Sequence, residues 1–151
     1  MTTFIGEYTA KLDDKGRLAF PAALKKQSRS EEPDRYVLKR DIYEKCLVLY
    51  PIEEWHRQTE LIRSKINPYN QAHARFLRGF FRGTAEITLD AQNRMILPKL
   101  LADKVEIERE IYMAGIDGKI EIWAKHLYEQ LDDDMEDFAQ LAGEILGNQQ
   151  L

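Results

Sequence analysis

The sequence has a single cysteine, and this scarcity excludes several kinds of site. Cys46 stands in the apolar run of residues 46–50. No disulfide can form within the chain, and no cysteine-rich zinc site can be built from it. In such a run a small buried apolar residue is favoured over a nucleophile or a metal ligand. We therefore expect Cys46 to be buried and to have no chemical role.

Long apolar runs and targeting signals are also missing. Charged residues interrupt every apolar run well short of the roughly 18 residues that a membrane span needs. Residues 1–7 lack the basic stretch and apolar core of a signal peptide. The sequence therefore predicts a soluble, cytoplasmic protein. Its 151 residues, 44% of them hydrophobic, suffice for one compact body or two small interlocked ones.

The motifs of common enzyme classes do not occur in the sequence. The chain has three histidines, and neither with one another nor with the cysteine do they show metal-ligand spacing. They are His56, His73 and His126. No G-x-S-x-G, Walker A or G-x-G-x-x-G pattern is present. Asp13-Asp14 and Asp132-Asp133-Asp134 are better explained as a turn and a solvated helix face, so we expect no enzymatic activity, metal or cofactor.

One short pattern is present twice in the same register. Residues 13–21 read DDKGRLAFP, and residues 90–98, which lie 77 positions later, read DAQNRMILP. Gly6 matches Gly83 at the same offset. Each copy predicts a strand, a polar turn, a second strand, a proline and a short helix. Because a solenoid needs at least about three repeats, two copies indicate two halves of a pseudo-symmetric fold.

The predicted elements follow the same order in both copies. The first copy has strands at 8–12, 18–20, 36–38 and 46–50, a short helix opening at Pro21, and helices at 52–66 and 69–78, the last ending at Gly79. The second copy has strands at 85–89, 95–97, 111–113 and 119–123, with helices opening at Pro98 and Lys125. His73 is expected to serve helix packing or a contact between subunits. No linker rich in proline, glycine or serine separates the copies, so their strands should complete one another's sheets.

The repeated turn has the residues of a tight hairpin loop. Asp13 and Asp90 are expected to begin a type I turn, with the carboxylate accepting from nearby backbone N–H groups. Gly16 suits the left-handed conformation that returns the chain to the second strand. Asn93 replaces it in the second copy, and asparagine tolerates that conformation better than most residues.

Two interpretations of the following arginines remain open. Arg17 and Arg94 lie close enough to Asp13 and Asp90 for each carboxylate to orient a guanidinium. In one interpretation each pair is a local salt bridge that pins the hairpin. In the other, the carboxylate positions the guanidinium for a planar, bidentate contact with a base edge or a phosphate. Repetition favours the second interpretation, although two structural pins would also repeat.

Charge is distributed unevenly along the chain. The net charge is −4, but residues 124–151 carry one base and seven acids, which leaves +2 for the remaining body. Between positions 9 and 29, six bases face two acids, an excess that attracts phosphate. A solvated charged surface is the alternative explanation. The acidic C-terminal segment is expected to be a helical cap with an apolar side formed by Leu127, Leu131, Met135 and Phe138.

Segments spread over nearly the whole chain resemble the bacterial MraZ family. They are Phe4–Tyr8 with Leu12–Pro21, Cys46–Pro51 with Trp55, Asn67–Pro68, Asp90–Pro98 and Ile120–Trp123. The resemblance implies an α+β fold in which two tandem AbrB-like swapped-hairpin repeats form one pseudo-symmetric, β-barrel-like body with short flanking helices. The corresponding division is a first repeat at 4–57, connecting helices at 58–79, a second repeat at 80–128 and an acidic C-terminal helix or tail at 129–151.

The same resemblance implies a function. MraZ proteins are transcriptional regulators, typically repressors, of the division and cell-wall gene cluster that encodes them, and they assemble into rings. A nucleoid-associated protein is expected, whose partners are double-stranded DNA with promoter repeats and other copies of itself, without a membrane or small-molecule partner. The role of the family's arginines in DNA binding carries over to Arg17 and Arg94, with Asp13 and Asp90 as their orienting partners.

The second copy departs from the family's pattern. Asn93 replaces the usual glycine, and Gln92 brings no charge. Lys15 of the first copy is expected to contact phosphate, whereas Gln92 can donate only a neutral hydrogen bond. The first half should therefore contact DNA more strongly, with Gly16 and Asn93 shaping the two loops. One alternative stays open, namely a protein-interaction barrel that uses the same loops without DNA.

Overall fold

A computed structural model describes residues 1–131 and 135–147 of the chain. The strands in these residues are β1 (Glu7–Lys11), β2 (Arg17–Ala19), β3 (Arg35–Arg40), β4 (Leu47–Pro51), β5 (Thr84–Thr88), β6 (Arg94–Ile96), β7 (Glu110–Ile116) and β8 (Lys119–Ala124). The helices are α1 (Ala22–Gln27), α2 (Ile52–Lys65), α3 (Gln71–Phe81), α4 (Lys99–Lys104), α5 (Lys125–Glu129) and α6 (Met135–Leu146).

The strands form a six-stranded antiparallel sheet and a separate two-stranded ribbon. The order in the sheet is β1-β7-β8-β4-β3-β5, and the ribbon pairs β2 with β6. The first strand of each repeat pairs with the third strand of the other, because β1 lies on β7 and β5 on β3. Each repeat therefore lends a strand to the other, as expected for swapped hairpins.

The expected barrel is wrong for the described strands. β1 and β5 lie at the two edges of the sheet and do not pair with each other. The only strands that might bridge these edges, β2 and β6, have three residues each and pair together instead. The body is thus a layered arrangement of an open sheet and a ribbon.

The two repeats agree in the order of their elements but differ in loop length. β1, β2 and α1 match β5, β6 and α4 at the offset of 77 residues. The connection from β3 to β4 has six residues, 41–46, whereas that from β7 to β8 has two, 117–118. The longer loop therefore belongs to the first repeat alone.

The main core lies between the sheet and the ribbon. Leu18 of β2 and Met95 of β6 are each 1% exposed and belong to one apolar cluster with residues of the sheet. Cys46 is fully buried and free, as expected. On the other side of β3 and β4, Trp55 of α2 stacks on Phe80 of α3 with ring centroids 5.8 Å apart. These two strands are therefore covered on both faces.

The second connecting helix extends further than predicted. Gly79 does not end α3, because it has a helical conformation and the helix continues to Phe81. The left-handed glycine is Gly83, with φ of 73°. His73 has a local role, since its Nδ1 accepts a hydrogen bond from the backbone N–H of Asn67 at 2.9 Å. This bond fixes the turn between α2 and α3.

The C-terminal segment does not form the expected cap. α6 leaves its apolar side exposed, with Phe138 65% and Ile145 71% accessible. The acidic run Asp132-Asp133-Asp134 and residues 148–151 lie outside the described residues. None of the described helices has the length and apolar character needed to cross a membrane.

Replacing Gly115 by alanine is expected to destabilise the fold, because the N-terminal segment crosses directly over this residue. An added Cβ would lie 2.6 Å from the carbonyl carbon of Phe4 and 2.8 Å from the backbone nitrogen of Ile5. The crossing segment cannot move aside freely, since the Gly115 N–H donates to the Gly6 carbonyl at 2.8 Å. We expect the free energy of unfolding to fall by about 1–3 kcal/mol in denaturant titrations.

Gly118→Ala is the matched control in the same hairpin. There the nearest atom to an added Cβ, at 2.8 Å, is the carboxylate Oε1 of Glu54. Because this is the end of a flexible side chain, it can swing away with little loss of stability. Equal stability of the Gly115→Ala and Gly118→Ala variants would contradict the assigned backbone crossing.

Candidate nucleic-acid interface

Asp13 holds the first turn with both oxygens of its carboxylate. Oδ1 accepts hydrogen bonds from the backbone N–H groups of Lys15 and Arg17, each at 2.9 Å. Oδ2 accepts from Nε of the Arg17 side chain at 2.8 Å. Gly16 has a φ of 77°, the left-handed conformation predicted for it. One carboxylate thus closes the turn and orients the guanidinium.

Asp90 makes the same set of bonds in the second turn. Its Oδ1 accepts from the backbone N–H groups of Gln92 at 2.8 Å and Arg94 at 2.9 Å. Its Oδ2 accepts from Nε of Arg94 at 2.9 Å. Asn93 takes the left-handed position with φ of 58°. The exchange of glycine for asparagine therefore leaves the geometry of the turn intact.

These bonds stabilise the ionised carboxylates. The pKa of Asp13 is lowered to about 2, chiefly by the backbone N–H of Arg17 and next by its side chain. The pKa of Asp90 is also lowered, with the backbone N–H of Arg94 as the largest cause. Both turns therefore carry a carboxylate and a guanidinium in fixed relation at neutral pH.

The contact with aspartate occupies one nitrogen of each guanidinium. Among the described residues, the Nη atoms of Arg17 and Arg94 have no hydrogen-bond partner. Arg57 differs, because its Nε and Nη2 both bind the carboxylate of Glu54, at 2.7 and 2.8 Å. Arg57 forms a closed, bidentate pair, whereas Arg17 and Arg94 keep the planar edge between Nη1 and Nη2 for another acceptor.

The ribbon presents both arginines on one face, which we call the ribbon face. The middle residues of β2 and β6 are buried in the core. Because side chains alternate along a strand, the flanking residues of both strands point outward. They are Arg17, Ala19, Arg94 and Ile96. Strand rise and spacing place the Cα atoms of the two arginines about 8 Å apart.

Each turn is also tied to the other repeat. The backbone N–H of Leu97 donates to the carbonyl of Gly16 at 2.8 Å, and that of Phe20 donates to the carbonyl of Asn93 at 2.9 Å. These symmetric bonds lengthen the ribbon at both ends. They fix the position of one turn relative to the other.

One contact of the second turn has no counterpart in the first. Nζ of Lys25, in α1, contacts Oδ1 of Asn93 and pairs with Asp34 at 2.9 Å. The residue equivalent to Lys25 in the second repeat is Ala102. Nothing in the sequence spacing indicates a contact between positions 25 and 93, so sequence reasoning missed it. Because Lys25 is paired, part of the basic excess in residues 9–29 is already neutralised.

The remaining predicted site residues lie at the tips of the turns. Lys15 and Gln92 are exposed, one on each turn. Ala19 and Ile96 were not predicted as part of the site, although the alternation of side chains from Arg17 and Arg94 would have indicated them. The described residues hold no group of three or more histidine, cysteine or acidic side chains suited to a metal ion.

Comparisons with known proteins agree on one family. The family model of the MraZ protein, described as antitoxin-like, matches residues 3–79 and again 80–146. The "Transcriptional regulator MraZ" of Flavobacterium psychrophilum is 40% identical over 149 residues, which cover 98% of this chain and 94% of the relative. The protein of that name from Christiangramia forsetii is 40% identical, covering 98% and 96%. The one from Bacteroides fragilis is 34% identical, covering 97% and 92%.

The Arg17→Ala substitution is expected to raise the pKa of Asp13 from about 2 toward its ordinary value of 3.8, without reaching it. The side-chain bond and charge are lost, but the backbone N–H of residue 17 remains. Because the folded-state pKa is lowered, this carboxylate stabilises the fold above pH 3.8, and the contribution is lost as the pH falls through about 2. Carbon-13 NMR titration of the carboxyl group measures the shift. Arg94→Ala should leave it unchanged, and an unchanged midpoint in Arg17→Ala would refute the assigned bond.

Proposed function

The chain belongs to the MraZ family, and from that membership we propose that it is a DNA-binding transcriptional regulator that reads short promoter repeats through the ribbon face. Relatives along almost its whole length are named transcriptional regulators. The observation that carries the proposal is the pair of outward guanidinium groups, each fixed at Nε by an aspartate and open at Nη.

The shape of this face suits the major groove of DNA. That groove is about 12 Å wide and admits a two-stranded β-ribbon. Arg17 and Arg94 can each offer two parallel N–H donors to the O6 and N7 atoms of guanine, or to a phosphate. Ala19, between them on the same face, is small enough to permit a close approach. Asp13 and Asp90 limit the motion of the guanidinium groups, which reduces the entropy lost on binding.

The two turns contribute unequally. Lys15 lies exposed on the first turn and supplies a positive charge for a phosphate, whereas Gln92 supplies only neutral hydrogen bonds. Asn93 is in addition engaged by Lys25. The first turn is therefore the stronger DNA contact.

Assembly into a ring-shaped homo-oligomer completes the proposal. One ribbon covers few base pairs and binds weakly, but linked copies raise the affinity by about 10² to 10⁴ when repeats in the DNA match their spacing. Neighbouring copies on one side of the duplex need repeats about 10 bp apart. Bound at the promoter of its own division and cell-wall gene cluster, such a nucleoid-associated assembly blocks RNA polymerase and acts as a repressor without catalysis or cofactor.

Alanine at either ribbon arginine is expected to weaken binding to a cognate promoter fragment. Loss of a bidentate contact worth about 1–3 kcal/mol corresponds to roughly 10- to 100-fold per turn. Arg17→Ala should be more damaging than Arg94→Ala, and Arg17→Lys should also fail to restore wild-type affinity because ammonium lacks the planar pair of donors. Fluorescence anisotropy with a labelled fragment that contains tandem repeats from upstream of the gene measures the affinities.

Arg57→Ala is the matched control, because Arg57 is exposed but engaged by Glu54 through two nitrogens. It should bind DNA like the wild type. Lys15→Gln should lower the slope of log K against log salt by about one per bound phosphate contact. Wild-type affinity in both arginine variants would disprove the DNA-reading role. Salt-insensitive binding of a protein through the same turns would instead support the interaction module.

A further inference from the structure

A groove in the first repeat is not used by the proposed DNA contact. Its volume is about 900 Å³, and it lies between the loop at 41–46, α3 and the end of α4. α3 lines it with Ala72, Phe76 and Gly79, which recur at helical spacing along one side. Phe76 is 43% exposed, and no atom lies within 4 Å of a Cβ added at Gly79. The floor is therefore apolar and open.

The rim of this groove is positively charged. Four exposed bases stand on it, and none has an ion pair with a described residue. They are Arg40, Arg75, Arg82 and Lys104. One of the two rim acids, Asp41, already accepts hydrogen bonds from the backbone N–H groups of Tyr43 and Glu44. The groove thus suits an apolar ligand with negative charges beside its apolar side.

α6 has the complementary character. Its apolar side chains recur at the spacing of one helix face, and they are 42–71% exposed. They are Phe138, Leu141, Ile145 and Leu146. Three acids and no base lie in the helix, namely Glu136, Asp137 and Glu144. An exposed stripe of this size on an amphipathic helix marks an interaction surface.

We propose that α6 of one copy binds in this groove of a second copy. At about 1.5 Å per residue, its twelve residues span about 18 Å, close to the length of α3, which forms one wall. α6 contributes no residue to the groove of its own chain. The charges match, since the helix supplies only acids and the rim mostly bases. The inference rests on the self-assembly in the proposed function and assigns its surfaces.

Such a contact joins two different surfaces, head to tail. Each copy retains a free groove at one end of the pair and a free helix at the other, so further copies add until the assembly closes. The ribbon face takes no part in the contact and remains available. Assembly and DNA binding are therefore separable by substitution.

Complementary variants of the full chain test the contact. Leu141→Asp with Ile145→Asp disables the helix, and Arg75→Glu with Arg82→Glu disables the groove through exposed residues. Each variant alone should be a monomer by light scattering and ultracentrifugation at concentrations where the wild type is a larger oligomer. Circular dichroism checks that both fold. When mixed, they should form a 1:1 dimer, because one brings an intact groove and the other an intact helix.

The controls separate this inference from the proposed function. Arg17→Ala should assemble like the wild type while losing affinity for DNA. Variants of α6 and of the groove that remain assembled would overturn the inference and leave DNA reading intact. A mixture that stays monomeric would also overturn it. A monomeric wild type would overturn it as well, together with the proposed ring, and would indicate that α6 folds onto its own chain.

Discussion

The exchange of strands between the two repeats is the constraint on which the rest of this structure depends. β1 finds its partner in β7, and β5 finds its partner in β3, so neither repeat can complete its sheet alone. The short strands β2 and β6 have only each other. Because one backbone ladder joins the two turns, the distance and orientation between Arg17 and Arg94 are properties of the fold. A recognition surface built in this way is rigid before any ligand binds.

Pinning and recognition are compatible uses of the same aspartate. Asp13 and Asp90 stabilise their turns through two backbone N–H groups and one guanidinium nitrogen each. A closed pair such as Arg57 with Glu54 consumes two nitrogens of the guanidinium. In the ribbon the carboxylate holds only Nε, which supports a role for the outer edge in binding DNA. The salt bridge then serves recognition by fixing the direction of the donors.

The differences between the repeats have consequences for assembly. The longer loop at 41–46 and the paired helices α2 and α3 build a groove in the first repeat, whereas the second repeat ends in α5 and the exposed α6. A body with two equivalent ends would favour symmetric pairing. Unequal ends favour head-to-tail contacts, which can close into a ring. Divergence between the copies thus supports the proposed assembly, while their similarity preserves the ribbon.

The sequence by itself determined the features that depend on neighbouring residues. The repeat, the left-handed positions of Gly16 and Asn93 and the two aspartate–arginine pairs follow from bonds that span at most four positions. Tertiary structure alone decided the open sheet in place of a barrel, the bond between Lys25 and Asn93, and the burial of one side of the ribbon. These depend on which distant segments meet, and packing selects among several pairings that the same local pattern allows. For the same reason Gly79 remained helical inside α3, where local preference predicted an end.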